Sequence, residues 1–173
     1  MQSTKAIADT SFIIDWTKYD KRDLLFKYYD IVFIAESVLN EIRTELPLIW
    51  ISTWMSNGRV KVLEENAGVR NKALLVVDRT RELPVRSADY PEAVCVVLGK
   101  ELSLDVLTEN GGVFSALEIM EDYQGVRALR GIDVLYNLSK KGIIDFKSEV
   151  QNYMTMTKHT YTRELIRRYG IEV

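Results

Sequence analysis

Cysteine and histidine each occur once in this chain of 173 residues, and proline only three times. A lone thiol excludes an internal disulfide. Cys95 lies inside the apolar run Ala93 to Leu98 with no candidate base beside it, so it reads as a buried core side chain rather than a nucleophile. His159 stands in a polar C-terminal stretch and reads as a surface residue, which leaves Ser-His or Cys-His catalysis without support. Charge of one sign is scarce too. The net charge of -2 excludes a protein that coats nucleic acid electrostatically, although a local basic groove needs only the right distribution. No stretch approaches membrane-spanning length and the N-terminus lacks a signal-peptide apolar segment, so a cytoplasmic protein without membrane association is expected. Neither G-x-G-x-x-G nor G-x-x-x-x-G-K-[ST] follows a predicted strand. That disfavours a generic Rossmann-like nucleotide binder, and Gly111-Gly112 alone is a weak signal.

What is present is an alternation of short apolar runs with helical patterns. Lys5 to Ile14 reads as a strand running into a helix, broken by Asp9-Thr10-Ser11. Lys21 to Tyr29 has an amphipathic helical pattern, and Ile31-Val32-Phe33-Ile34 is a strand buried on both faces. Ser37 is placed to cap a helix bearing Val38, Leu39 and Ile42, and Pro47 to open another over Leu48 to Met55. Arg59 to Leu63 and Leu104 to Thr108 are predicted strands. Gly68 to Arg81, Ala93 to Leu102 and Val113 to Glu121 are predicted helices. Ile132 to Leu135 reads as a strand or strand end, and Leu138 to Lys141 as a helical turn stopped by Gly142. Strands alternating with helices imply a parallel sheet with helices on both faces. The main α/β domain is assigned to residues 1–144. The remainder, 145–173, reads as two modest helices, Lys147 to Thr155 and Thr162 to Tyr169, packed on that domain or on a partner subunit through Leu165, Ile166 and Tyr169.

Four acidic or amide stations fall where strands give way to helices: Asp9, Glu41, Glu92 and the pair Glu109-Asn110. Each has an ordinary explanation. Asp9 is a good N-cap, Glu41 could be a solvated helix residue, Asp89-Tyr90-Pro91-Glu92 fits a capping box, and Asn110-Gly111 is a common turn. Their shared position decides otherwise. Ligands of open α/β sheets bind outside the carboxyl ends of the strands, and oxygen ligands gathered from separate elements suit a hard cation.

With these residues in view, the chain resembles the PIN-domain nucleases. The resemblance rests on Ala6 to Ile14, Ile31 to Ile42, Pro91 to Leu107 with Thr108-Glu109-Asn110, and Gly131 to Ile144; Leu46 to Ser87 is least matched. Gly131 to Ile144 and Tyr161 to Ile166 are similar to an archaeal and bacterial subgroup with a C-terminal helical extension. The resemblance implies a three-layer α/β/α sandwich with a mainly parallel, Rossmann-like sheet. It also implies Mg²⁺ or Mn²⁺ held by Asp9, Glu92 and Asn110, with Glu41 orienting water and Ser11 supporting Asp9. A family aspartate falls on Asn110, a departure that weakens the site unless Glu109 turns inward to ligate in its place. The implied activity is hydrolysis of single-stranded RNA, as the toxin of a toxin–antitoxin pair, by a homodimer with an antitoxin protein as partner. The alternative is a catalytically weakened module that binds RNA or a protein. Arg79, Arg81, Arg86, Arg127 and Arg130 are the candidates for gripping phosphates, each of which could equally be a solvated surface charge.

Overall fold

A computed structural model describes residues 4–84 and 86–171, so the last two residues of the predicted extension lie outside it. Strand β1 (Lys5–Ala8) leads into α1 (Thr10–Lys18). A 3₁₀ turn at Arg22–Leu24 and the short α2 (Leu25–Tyr28) follow. Next come β2 (Ile31–Ala35), α3 (Glu36–Glu41), α4 (Glu45–Ser56), β3 (Val60–Leu63), α5 (Ala67–Arg81) and α6 (Tyr90–Leu102). The chain continues through β4 (Asp105–Leu107), α7 (Gly111–Ile119), β5 (Ala128–Leu129) and α8 (Gly131–Lys140). It finishes with α9 (Phe146–Thr157) and α10 (Arg163–Arg168).

The five strands form one sheet in the order β3-β2-β1-β4-β5, and every pairing is parallel. Ala6, Ile7, Val32, Ile34 and Val106 are fully buried, as strands covered on both faces require. Right-handed crossovers send the helices between β1 and β3 to one face and those between β3 and β5 to the other. Accordingly α1 packs on α4, whereas α5, α6 and α7 pack on one another. The strand order reverses between β1 and β4, which opens a crevice at their carboxyl ends. Among the described residues no helix is long and apolar enough to cross a membrane.

Several boundaries depart from the sequence reading. Ile132 to Leu135 is not a strand; it belongs to α8, where Ile132, Val134, Leu135 and Leu138 bury one helical face. The strand in that region is the two-residue β5, too short to show a period. Helix α4 starts at Glu45, so Pro47 sits within its first turn. Lys21 to Tyr29 breaks into the 3₁₀ turn and α2. Ser37 lies inside the first turn of α3 rather than capping it.

The C-terminal extension packs on the α/β domain. Tyr153 of α9 is fully buried with its ring 5.6 Å from that of Trp16 and 5.5 Å from that of Tyr19. Glu149 accepts hydrogen bonds from Tyr19 and Lys21. Ile166 is buried, and Tyr169 packs on Tyr136 and Phe146 with its hydroxyl on Asp133. The apolar face of α10 is thus occupied within the chain and gives no motive for a dimer.

Candidate functional site

Asp9 is carried past the end of β1 by a backbone bond from its amide to the Leu107 carbonyl (3.0 Å), at the seam between β1 and β4. It caps α1: Oδ1 accepts from the Phe12 amide and the Ser11 hydroxyl, both at 2.8 Å. Oδ2 is buried and has no hydrogen-bond partner among the described residues. Asp9 is fully buried, and burial pushes its carboxyl up to about 7. The Phe12 amide and the Ser11 hydroxyl oppose that shift, as does the Thr108 hydroxyl, which stands near without hydrogen-bonding geometry, while the Glu92 charge adds to it.

Glu92 occupies the first turn of α6. Its Oε2 accepts from the Asp89 amide (2.9 Å), so the capping arrangement exists, and Oε1 accepts from the Asn110 side-chain amide. Burial also raises this carboxyl. Asn110 uses both ends of its amide: Oδ1 caps α7 by accepting from Gly112 (2.8 Å) and Nδ2 donates to Glu92. Gly112 is required there, because a Cβ would stand 2.7 Å from the Arg86 carbonyl oxygen. Glu41, exposed at the end of α3, accepts at 2.6 Å from the hydroxyl of Thr10, the residue that follows Asp9.

Cys95, one helical turn after Glu92, reports the convergence. Its thiol is fully buried and held well above its usual value by burial, then by the charges of Asp9, Glu92, Glu65 and Glu41. Carboxylates from four parts of the chain are therefore close enough for their charges to act on one thiol. Glu65 escaped the sequence reading. It is buried, accepts from the Ser37 amide (2.7 Å) and the Tyr90 hydroxyl (2.9 Å), and so joins the starts of α3 and α6. The signal was available: Glu64-Glu65-Asn66 follows β3 as Asp9 follows β1. Glu36 is drawn away, accepting from the Glu65 amide.

Glu109 does not turn inward. Its Oε1 accepts from the Gly131 amide (2.7 Å) and from the hydroxyls of Tyr161 (2.9 Å) and Tyr153 (3.1 Å). Its Oε2 faces His159 Nε2 at 3.3 Å. His159 is consequently not a free surface residue; its Nδ1 lies 3.0 Å from Asp15 Oδ2. Of the arginines, Arg79 pairs with Asp122 beyond the far end of α7, and Arg81 stands 4.0 Å from Asp78. Arg127 pairs with Asp105 at the amino end of β4. Those three are engaged elsewhere. Arg86 lies near enough to lower Glu92, and Arg130 follows β5 at the carboxyl edge.

Among the described residues no three His, Cys, Asp or Glu side chains are gathered tightly enough to hold a metal ion by themselves. Mg²⁺ does not need that many, since one or two carboxylates with water and substrate phosphate suffice. Asp9, with its unpartnered Oδ2, and Glu92 fit that requirement.

Neither a family model nor a curated protein sequence matches the chain. The fold is similar to the crystal structure of VapC20 of Mycobacterium tuberculosis, described as a toxin that cleaves the sarcin–ricin loop. The TM-score is 0.51 at 16% identity, over 64% of this chain and 94% of that one. The chain therefore has a PIN-type fold, a three-layer α/β/α sandwich on a wholly parallel sheet.

Proposed function

We propose that the chain is a metal-dependent endoribonuclease acting on single-stranded RNA, and the toxin of a toxin–antitoxin pair. One observation carries the reading: a fully buried Asp9 with an unpartnered Oδ2 stands at the strand-order reversal of a PIN-type sheet, with the Glu92 charge near enough to raise its carboxyl. Asp9 Oδ2 and Glu92 would hold Mg²⁺ or Mn²⁺. A divalent ion there supplies an activated water and neutralises charge on the phosphoryl oxygens. Ser11 and the Phe12 amide fix the orientation of Asp9. Asn110 acts through Glu92, presenting its carboxylate with an amide where the family has an acid. The exposed Glu41 would take the proton of the attacking water at Oε1, since its Oε2 is bonded to Thr10, and the ribose oxygen that leaves phosphorus would take its proton from solvent. A homodimer and an antitoxin protein complete the proposal, supported by the family resemblance of the sequence and not by the α10 face, which the chain itself covers.

The test is cleavage of labelled single-stranded RNA by the purified protein, with a sarcin–ricin-loop hairpin beside it because the structural neighbour cleaves that loop. Cleavage should need Mn²⁺ or Mg²⁺ and vanish in Asp9→Asn. Undiminished cleavage in excess EDTA would exclude the metal. Light scattering tests the dimer, and a small reading frame beside the gene, whose product binds the chain, tests the antitoxin.

A further inference from the structure

Beyond β5 the carboxyl edge of the sheet carries a second concavity. A cavity of about 260 Å³ opens between Arg130 and the extension, where His159, Thr160, Thr162, Glu164 and Arg168 complete its wall. The Arg130 guanidinium carbon lies 3.6 Å from the centre of the Phe114 ring, in stacking contact. Its backbone amide donates to Asp133 (2.7 Å), but among the described residues its guanidinium makes neither an ion pair nor a hydrogen bond. A planar fork of donors is thus held on an aromatic shelf with nothing to bind. That is the geometry that suits a phosphate.

The cavity adjoins the carboxylate cluster. The Gly131 amide, next to Arg130, donates to Glu109; the Glu109 amide donates to the Ser11 hydroxyl at 3.0 Å, and that hydroxyl donates to Asp9. A close approach enforces this junction, since a Cβ on Gly131 would stand 2.6 Å from the Tyr153 ring and 2.8 Å from Glu109 Oε1. Two arginines contribute positive charge against the single carboxylate of Glu164. That carboxylate, 3.0 Å from Arg168, belongs to an exposed pair of the kind that exchanges readily with water.

We propose that this cavity is a phosphodiester subsite. It holds a backbone phosphate of single-stranded RNA outside the scissile bond, with Arg130 as anchor and Arg168 and the Thr160 hydroxyl closing on the remaining oxygens. The inference rests on the ribonuclease reading above and deepens it by assigning the C-terminal extension a part in holding substrate.

Steady-state cleavage of an RNA of about twelve nucleotides, compared with a dinucleotide, tests it. Binding shared by substrate and transition state shows in KM, so Arg130→Gln should raise KM for the longer RNA about tenfold with kcat nearly unchanged. The dinucleotide, whose single phosphodiester sits at Asp9, should be indifferent. Arg168→Gln should act in the same direction, and Glu164→Gln should lower KM. The double variant Arg130→Gln/Arg168→Gln should also reduce the salt slope of RNA binding by about 0.7, the value for one phosphate on a single strand. Arg168 and Glu164 are exposed, so their variants keep the test decisive should Arg130→Gln fail to fold. Cleavage with KM unchanged in Arg168→Gln and Glu164→Gln would overturn the subsite and leave the ribonuclease reading standing. A wild type that neither binds nor cleaves RNA would overturn both.

Discussion

Asp9 pays for its position in pH-dependent stability. Its folded pKa, about 7, lies above the usual 3.8, so the folded state favours the neutral acid. Stability contributed by that proton is present at low pH and is lost as pH rises from about 4 to about 7, on the order of 4 kcal/mol without metal. Asp9→Asn keeps the cap but removes the charge, so it should melt a few degrees higher than wild type at pH 8 in EDTA. The new amide lacks a partner, which returns part of the gain. The difference should close near pH 4, and calorimetry at both values checks it. Asn110→Asp should do the reverse. It replaces a donor to Glu92 with a second negative charge, so about 2–3 kcal/mol should be lost in EDTA at neutral pH. Mn²⁺ should restore the loss and bind more tightly than to wild type, by titration calorimetry. Equal melting of Asn110→Asp and wild type in EDTA would mean that the Asn110–Glu92 bond contributes nothing.

Secondary elements differed in how openly the sequence declared them. β1, β2 and β4 were legible because runs such as Ile31 to Ile34 are apolar on both faces, and Asp9 stood out by interrupting one. α8 was not, because its first apolar residues, Ile132, Val134 and Leu135, fit two periods until the buried Leu138 is added. The His159 contacts were invisible for a different reason: Asp15 is 144 positions away, and no local pattern announces such a pair. The Asp15 hydrogen bond raises the imidazole above its ordinary 6.5, burial works against it, and Glu109 adds a smaller favourable charge. Glu109 itself is raised, because burial outweighs the attraction of His159. Asp15 is therefore the principal counter-charge of His159. A raised histidine stabilises fully below pH 6.5 and loses that contribution as pH climbs through its folded value. Opening free energies of α9 and α10 from hydrogen exchange should therefore fall as pH rises above 6.5 more than those of β1. His159→Gln should abolish the excess. An identical pH profile in that variant would remove His159 from the account.

For the whole molecule, the extension is a structural part of the domain rather than an appendage. Truncation after Asp145 would expose Trp16 and Tyr19 and remove both phenolic donors to Glu109, so the shortened chain should aggregate or lose cooperative melting. A soluble truncated protein with a sharp transition would contradict this. The buried thiol of Cys95 has one more consequence. Because it is the chain's single sulfhydryl, is buried one helical turn from Glu92 and feels the charge of four carboxylates, it is a built-in chemical clock for the site. A negatively charged disulfide reagent meets no thiolate to attack it and has no way in while the cluster is closed. Labelling should proceed only through opening events, at a rate that reports their frequency. Mn²⁺ should slow it by linking the walls of the cleft, and Asp9→Asn should cancel that protection while leaving the thiol buried.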